Sequence, residues 1–107
     1  VKQVIEWVFQ RITGAVLLAG LIIHFYTMHY SGSGQISHEA VMSRISNPYW
    51  KAFNILFLLS AVYHGFNGLL GMVLDYVHSR RNQIACEAVL IVTAMALVSA
   101  GVFILAV

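Results

Sequence analysis

The 107-residue sequence is poor in charge, with Asp, Glu, Lys and Arg making up only 9% of it, against roughly 25% in an ordinary soluble domain. A water-soluble domain this small has a large surface for its volume and too few charges here to cover it. A free soluble protein and a disordered tail are both excluded. A single cysteine excludes a disulfide-stapled secreted scaffold, which needs cysteines in pairs. Basic runs are missing as well. Six Lys/Arg against four Asp/Glu leave a formal charge of +2 with no stripe or cluster, so nucleic acid is not a partner. What remains is 60% hydrophobic. The sequence reads as an all-α integral membrane protein whose partner is the lipid bilayer, one domain over residues 1–107, with no internal repeat and no soluble domain.

The same scarcity locates the spans. No Asp, Glu, Lys or Arg occurs in residues 12–38, 52–74 or 88–107, and a helix needs roughly 20 apolar residues to cross the hydrocarbon core. The polar run Ser31-Gly32-Ser33-Gly34-Gln35 ends the first apolar stretch near Tyr30, and Pro48 stands just before the second. Three transmembrane helices are expected, at about 8–30, 50–77 and 85–107, joined by a polar loop over 31–48. The first is too long for the apolar core of a cleaved signal peptide, and it carries Arg11, Thr13, His24, Thr27 and His29. Lys2, Arg11, Arg80 and Arg81 fall on one side of the membrane and Arg44 and Lys51 on the other. This bias puts the N-terminus and the second loop on the cytoplasmic or matrix side. Trp7, Phe9, Tyr30, Tyr49, Trp50 and Tyr76 sit where interfacial aromatics belong.

Polar side chains are costly in hydrocarbon, so their clustering is informative. With His64 at zero and about 100° per residue, Ser60 falls near −40°, Gly68 near +40°, Gly71 near −20°, Asp75 near +20° and Asn67 near −60°. One face of the second span thus carries an imidazole, two missing side chains, a hydroxyl, an amide and a carboxylate. A neutral imidazole is a good axial ligand for haem iron, and Gly68 and Gly71 would leave room for a flat, wide porphyrin. The plainer alternative is a helix-packing seam, in which the glycines let a neighbour approach and His64 hydrogen-bonds to it.

Asp75 lies about 16 Å further along the axis, at the membrane interface, and is followed by Tyr76. A carboxylate beside a phenol can hold and pass protons and can hydrogen-bond a carbonyl; the alternative is an ordinary helix-end acid with an interfacial tyrosine. Arg11 enters from the same side and offers a fork of donors to a propionate or a quinone oxygen, unless it is a snorkelling arginine marking the helix end. Cys86 reads as inert packing, His29 as interfacial, and His38 and His78 as solvated loop residues.

These residues resemble a known family. The run Gln10-Arg11-Ile12-Thr13-Gly14, the run Tyr63-His64-Gly65-Phe66-Asn67-Gly68 and the later Asp75-Tyr76-Val77 are similar to those of a membrane-anchor subunit of succinate dehydrogenase or fumarate reductase. The resemblance covers nearly the whole chain, and the step from His64 to Asp75 with Tyr76 next is its most specific element. Asp75-Tyr76 is similar to the smaller, hydrophobic anchor of that family, Arg11-Ile12-Thr13-Gly14 to the larger cytochrome b anchor. The larger type carries a serine where this chain has Trp7, and an Arg-His pair where it has Leu70-Gly71, so the smaller type is assigned.

The resemblance implies that the three helices form half of a heterodimeric bundle holding haem b, with His64 as one axial iron ligand and a second cytochrome b anchor supplying the other. It implies docking of an iron-sulfur subunit and a flavoprotein subunit onto the N-terminal segment and the 78–83 loop. It also implies that Tyr76 hydrogen-bonds ubiquinone or menaquinone with Asp75 in support, and that Arg11 serves either the quinone or a haem propionate. Some members bind two haems, which makes His24, on one face with Gly20 and Thr27, a ligand for the second; otherwise His24 is packed against a neighbouring helix. The expected function is anchor and quinone-site subunit of succinate:quinone oxidoreductase (respiratory complex II), in a bacterial or mitochondrial inner membrane, with no succinate-oxidising site of its own. The rivals are a haem-free structural anchor or assembly protein and a haem-b subunit of another respiratory complex.

Overall fold

The computed structural model describes residues 1–30 and 37–106; the Ser31–Gln35 run and Val107 lie outside them. The order is α1 (Lys2–His29), α2 (His38–Ser46), α3 (Pro48–Tyr76) and α4 (Arg80–Ala106), with no strand among the described residues. α1, α3 and α4 are long and apolar enough to cross a membrane, and the molecule is 52 Å long, enough for a hydrocarbon core of about 30 Å and both interfaces. α3 is the middle helix. α1 packs antiparallel on one side of it, α4 on the other, and α2 across its first turns.

Local chemistry sets the boundaries. Asn47 closes α2 and opens α3: its Oδ1 accepts from the backbone N–H of Tyr49 at 2.9 Å and of Trp50 at 3.4 Å, and Pro48, which has no N–H to satisfy, occupies the first helical position. α3 therefore starts before residue 50. α1 and α4 likewise begin earlier than the apolar pattern suggests, because a helix continues beyond the hydrocarbon while nothing breaks it. At α4 the break is the turn 77–79, where Ser79 Oγ accepts from Asn82 N at 3.5 Å.

α2 falls within the stretch 31–48 expected as a polar loop, and His38 is its first residue rather than a loop residue. Ser37 caps it, its hydroxyl accepting from Ala40 N at 3.2 Å. Its half-buried residues Ala40, Val41, Arg44 and Ile45 make one face. A helix of 9 residues holds too few turns for a periodic signal and gains its stability from the tertiary surface it lies on.

The interior is inverted relative to a soluble protein. Among the described residues no large apolar side chain is buried; the buried positions are Thr13, Gly20 and Ser60. Small residues let membrane helices approach, while large apolar ones face lipid or partner chains. Gly20 shows the requirement: a Cβ there would overlap the Phe57 ring, with Cε2 only 2.7 Å away. Gly101 would meet Leu58 in the same way. Gly20→Val is accordingly expected to cost about 2 kcal/mol by overpacking, read as a lower melting temperature of the purified complex. An unchanged melting temperature would show that Phe57 rotates aside without penalty.

Candidate functional site

The α1–α3 seam positions His64. Gln10, Thr13 and Gly14 recur at helical spacing on α1 and form a half-buried to buried stripe against which the imidazole lies. His64 Nδ1 is 3.2 Å from the backbone carbonyl oxygen of Gln10 and 3.4 Å from Thr13 Oγ1. A carbonyl only accepts, so Nδ1 carries the proton and donates it. Thr13 Oγ1 in turn donates to the Phe9 carbonyl at 2.7 Å, which leaves its lone pairs toward the ring. The neutral tautomer then puts the lone pair on Nε2, and Nε2 has no hydrogen bond among the described residues.

Gly14 eases the close approach, since a Cβ there would sit 3.2 Å from His64 Cε1 and the ring would have to give way by a few tenths of an ångström. The Gln10 side chain completes the clamp. Its Nε2 donates to the His64 carbonyl at 3.2 Å, and its Oε1 accepts from Asn67 Nδ2 at 2.8 Å.

The polar stripe of α3 divides in two. Ser60, His64 and Gly68 face α1; a Cβ on Gly68 would meet Gln10 Nε2 at 3.6 Å, so the space at Gly68 lies beside that amide. Gly71 has nothing within 4 Å. Beyond it Asp75 is exposed, and Tyr76 is 76% exposed. At this end residues 1–9 are exposed, and the ring contact between α1 and α3 there is that of Phe9, edge-on to Tyr63 at 6.1 Å.

Asp75 and Tyr76 make no hydrogen bond or ion pair among the described residues. Arg11 is exposed, with its guanidinium 4.5 Å over the Trp7 ring, and it contacts neither of them nor His64. Within this chain, then, Arg11, His64 and Asp75-Tyr76 are not one contiguous constellation. Of these groups His64 is held by hydrogen-bond partners on α1, while Arg11, Asp75 and Tyr76 are exposed.

His24 sits toward the other end. It is exposed and stacked on Phe57, with ring centroids 6.3 Å apart and planes 11° from parallel. The Phe57 ring fills the space that Gly20 leaves, so that glycine serves a side chain of α3. His24, Thr27, Arg44 and Asn54 line a cavity of about 240 Å³ under α2. Cys86 is a half-buried free thiol. His29 packs against the Phe25 ring at 4.4 Å, and His78 lies in the turn 77–79.

Sequence reasoning quoted Gln10, Thr13 and Gly14 only as part of a run and Asn67 only as a stripe member, without a task for any of them. Their signal was the i, i+3, i+4 spacing on α1, which becomes meaningful only when α3 is laid against it.

The family model for succinate dehydrogenase/fumarate reductase transmembrane subunits matches residues 2–106. The chain belongs to that family. Among curated proteins it is 33% identical over 90 residues to the succinate dehydrogenase hydrophobic membrane anchor subunit of Archaeoglobus fulgidus, covering 81% of this chain and 77% of that protein. It is 36% identical over 67 residues to the protein of the same description from Thermoplasma acidophilum, covering 62% of this chain and 54% of that one. This chain is thus a membrane-anchor subunit of a succinate dehydrogenase or fumarate reductase, a multi-pass membrane protein working within an enzyme complex. As an anchor subunit it associates with the other subunits of that complex, and its outward-facing apolar side chains meet them or lipid.

Proposed function

We propose that this anchor subunit supplies one axial ligand to a haem b and one wall of the quinone site, and so takes part in passing electrons from an iron-sulfur subunit to quinone. One observation carries the reading: the Gln10 carbonyl holds the His64 Nδ1 proton at 3.2 Å and leaves the Nε2 lone pair unused. This is the arrangement of a ligating histidine, whose second nitrogen donates to a carbonyl that sets tautomer and ring orientation. Among the described residues no group of three metal-ligating side chains exists, and a haem needs only one from this chain, with the other from the partner cytochrome b anchor.

When bound, haem b supplies a one-electron store beside the quinone route. The residues of this chain do the rest. Gln10, Thr13 and Gly14 fix the imidazole. Tyr76, at the exposed end of α3, donates its phenolic proton toward a ubiquinone or menaquinone carbonyl, and Asp75 next to it supports proton delivery. Arg11 presents its guanidinium to the quinone or to a propionate, and Gly71 leaves the flank between them open. His24 is a ligand candidate in a two-haem form. The N-terminal segment and the 78–83 stretch are the docking surface for the iron-sulfur and flavoprotein subunits, on the cytoplasmic or matrix side as the basic residues suggest.

A second reading, a haem-free structural anchor, draws on the way Ser60, His64 and Gly68 pack against α1, which a helix seam alone would also explain. A reduced-minus-oxidised spectrum of the purified complex separates the two. Distinct b-type Soret and alpha bands, at about one haem per flavin by the stoichiometry proposed, are expected; a featureless difference spectrum would leave the structural anchor.

A further inference from the structure

Gln10 is joined to α3 at three atoms, and the chemistry of each atom fixes the direction of its bond. Its backbone carbonyl takes the proton of His64 Nδ1 at 3.2 Å, its Nε2 donates to the His64 carbonyl at 3.2 Å, and its Oε1 accepts from Asn67 Nδ2 at 2.8 Å. A backbone carbonyl only accepts, so the Gln10 amide must turn its nitrogen to His64 and its oxygen to Asn67. Asn67 must then present an N–H. Its bond to Gln10 is shorter than any of the hydrogen-bond contacts that Gln10 and Thr13 make with His64.

The imidazole has a competitor for its acceptor. Thr13 Oγ1 donates to the Phe9 carbonyl at 2.7 Å but stands only 3.2 Å from the Gln10 carbonyl as well. Were the ring to back away, rotation of this hydroxyl would fill the Gln10 carbonyl and leave Nδ1 without its partner. The reciprocal pair of bonds between Gln10 and His64 opposes that withdrawal, and it holds only while the Gln10 amide keeps its orientation. Asn67 enforces the orientation. It lies half-buried in a helix long and apolar enough to cross a membrane, where an unmatched Gln10 Oε1 would be costly.

We propose that Asn67 is a positioning residue for the His64 imidazole, acting through Gln10. The inference deepens the haem reading above and rests on it. A firm bond from Nδ1–H to a carbonyl sends electron density to Nε2 and strengthens it as a ligand. Donation from Asn67 to Gln10 and from Gln10 to His64 thus sets the strength of the ligand from a position one turn further along α3.

The test compares Asn67→Leu, Gln10→Leu and the double variant in the purified complex, with two readouts. One is the rate at which haem passes to an excess of apomyoglobin, the other the haem midpoint potential. Asn67→Leu should release haem about fivefold faster, the effect of one net hydrogen bond. Its potential should move upward, because a weaker bond at Nδ1 makes Nε2 a poorer donor to ferric iron. Gln10→Leu should shift both readouts the same way and at least as far. The double variant should match Gln10→Leu to within about twofold, since a residue that acts through another adds nothing once that other is gone. Asn67→Ala, which adds no bulk, carries the same expectation if the leucine prevents assembly.

Faster release with an unmoved potential would overturn the inference and make the Asn67 bond ordinary helix packing. Additive effects in the double variant would overturn it too, because Asn67 would then act by another route. Both readouts unchanged in Asn67→Leu, in a complex that binds haem and loses it in His64→Ala, would remove this inference alone. A complex without haem would remove the haem reading and this inference together.

Discussion

Replacing His64 by alanine is expected to remove the b-type haem bands from the purified complex, leaving less than about a tenth of the normal haem per flavin. Losing a partner of the ligand already costs roughly 10–100-fold in metal affinity, so losing the ligand itself costs more. The substitution also strands the Gln10 carbonyl and the Thr13 hydroxyl, which now bond the imidazole at 3.2 and 3.4 Å. Flavin retained at the membrane must therefore be measured beside haem, to separate lost ligation from lost assembly.

Thr13→Val keeps the imidazole and removes only the hydroxyl beside it. It should retain haem while shifting the spectrum or potential, because the second nitrogen of a ligating histidine tunes the metal. A His64→Ala complex with its full haem complement would make the imidazole a packing group, and the α1–α3 seam would then be no more than a helix contact.

The second large effect is expected at Tyr76. Tyr76→Phe keeps the ring and deletes the phenolic proton of a side chain that is 76% exposed and makes no hydrogen bond among the described residues. As a positioned proton donor, such a group contributes about 10²-fold or more to a rate. Succinate:quinone turnover should therefore fall about 10²-fold in kcat, while succinate oxidation with an artificial acceptor, which bypasses the membrane site, should stay at its normal rate. Asp75→Asn should follow in the same direction with a smaller loss, since it supports rather than touches the quinone. Quinone turnover within twofold of normal in Tyr76→Phe would remove this phenol from the reaction. Because Tyr76 ends α3 and is largely exposed, the substitution carries little structural cost, and a loss in kcat reads as chemistry.

The glycines illustrate how far a linear pattern reaches. Gly68 and Gly71 read as room for a flat cofactor or as a helix-packing seam, and Gly20 as a neighbour of His24 on one face. Gly20 makes room for Phe57 and Gly68 stands beside the Gln10 amide; only Gly71 faces open space. Absence of a side chain is visible in a sequence, but what fills the space depends on which helix lies opposite. Gly14, which had no assigned task, lies against the imidazole, where a Cβ would crowd the ring at 3.2 Å.

Class and topology were determined by the sequence alone: an all-α membrane domain with three spans and the positions of His64, Asp75 and Tyr76 along one helix. The physical reason is that hydrocarbon admits so few polar groups that charge-free stretches and their exceptions declare themselves without any knowledge of packing. Helix ends beyond the hydrocarbon, the short α2 and the assignment of each glycine were decided only by the tertiary structure. So were the proton position on His64 and the bond of Asn67 to Gln10 across the α1–α3 seam. Each of these depends on the rotation and register of one helix against another, which small residues set by contact and which no single strip of sequence contains.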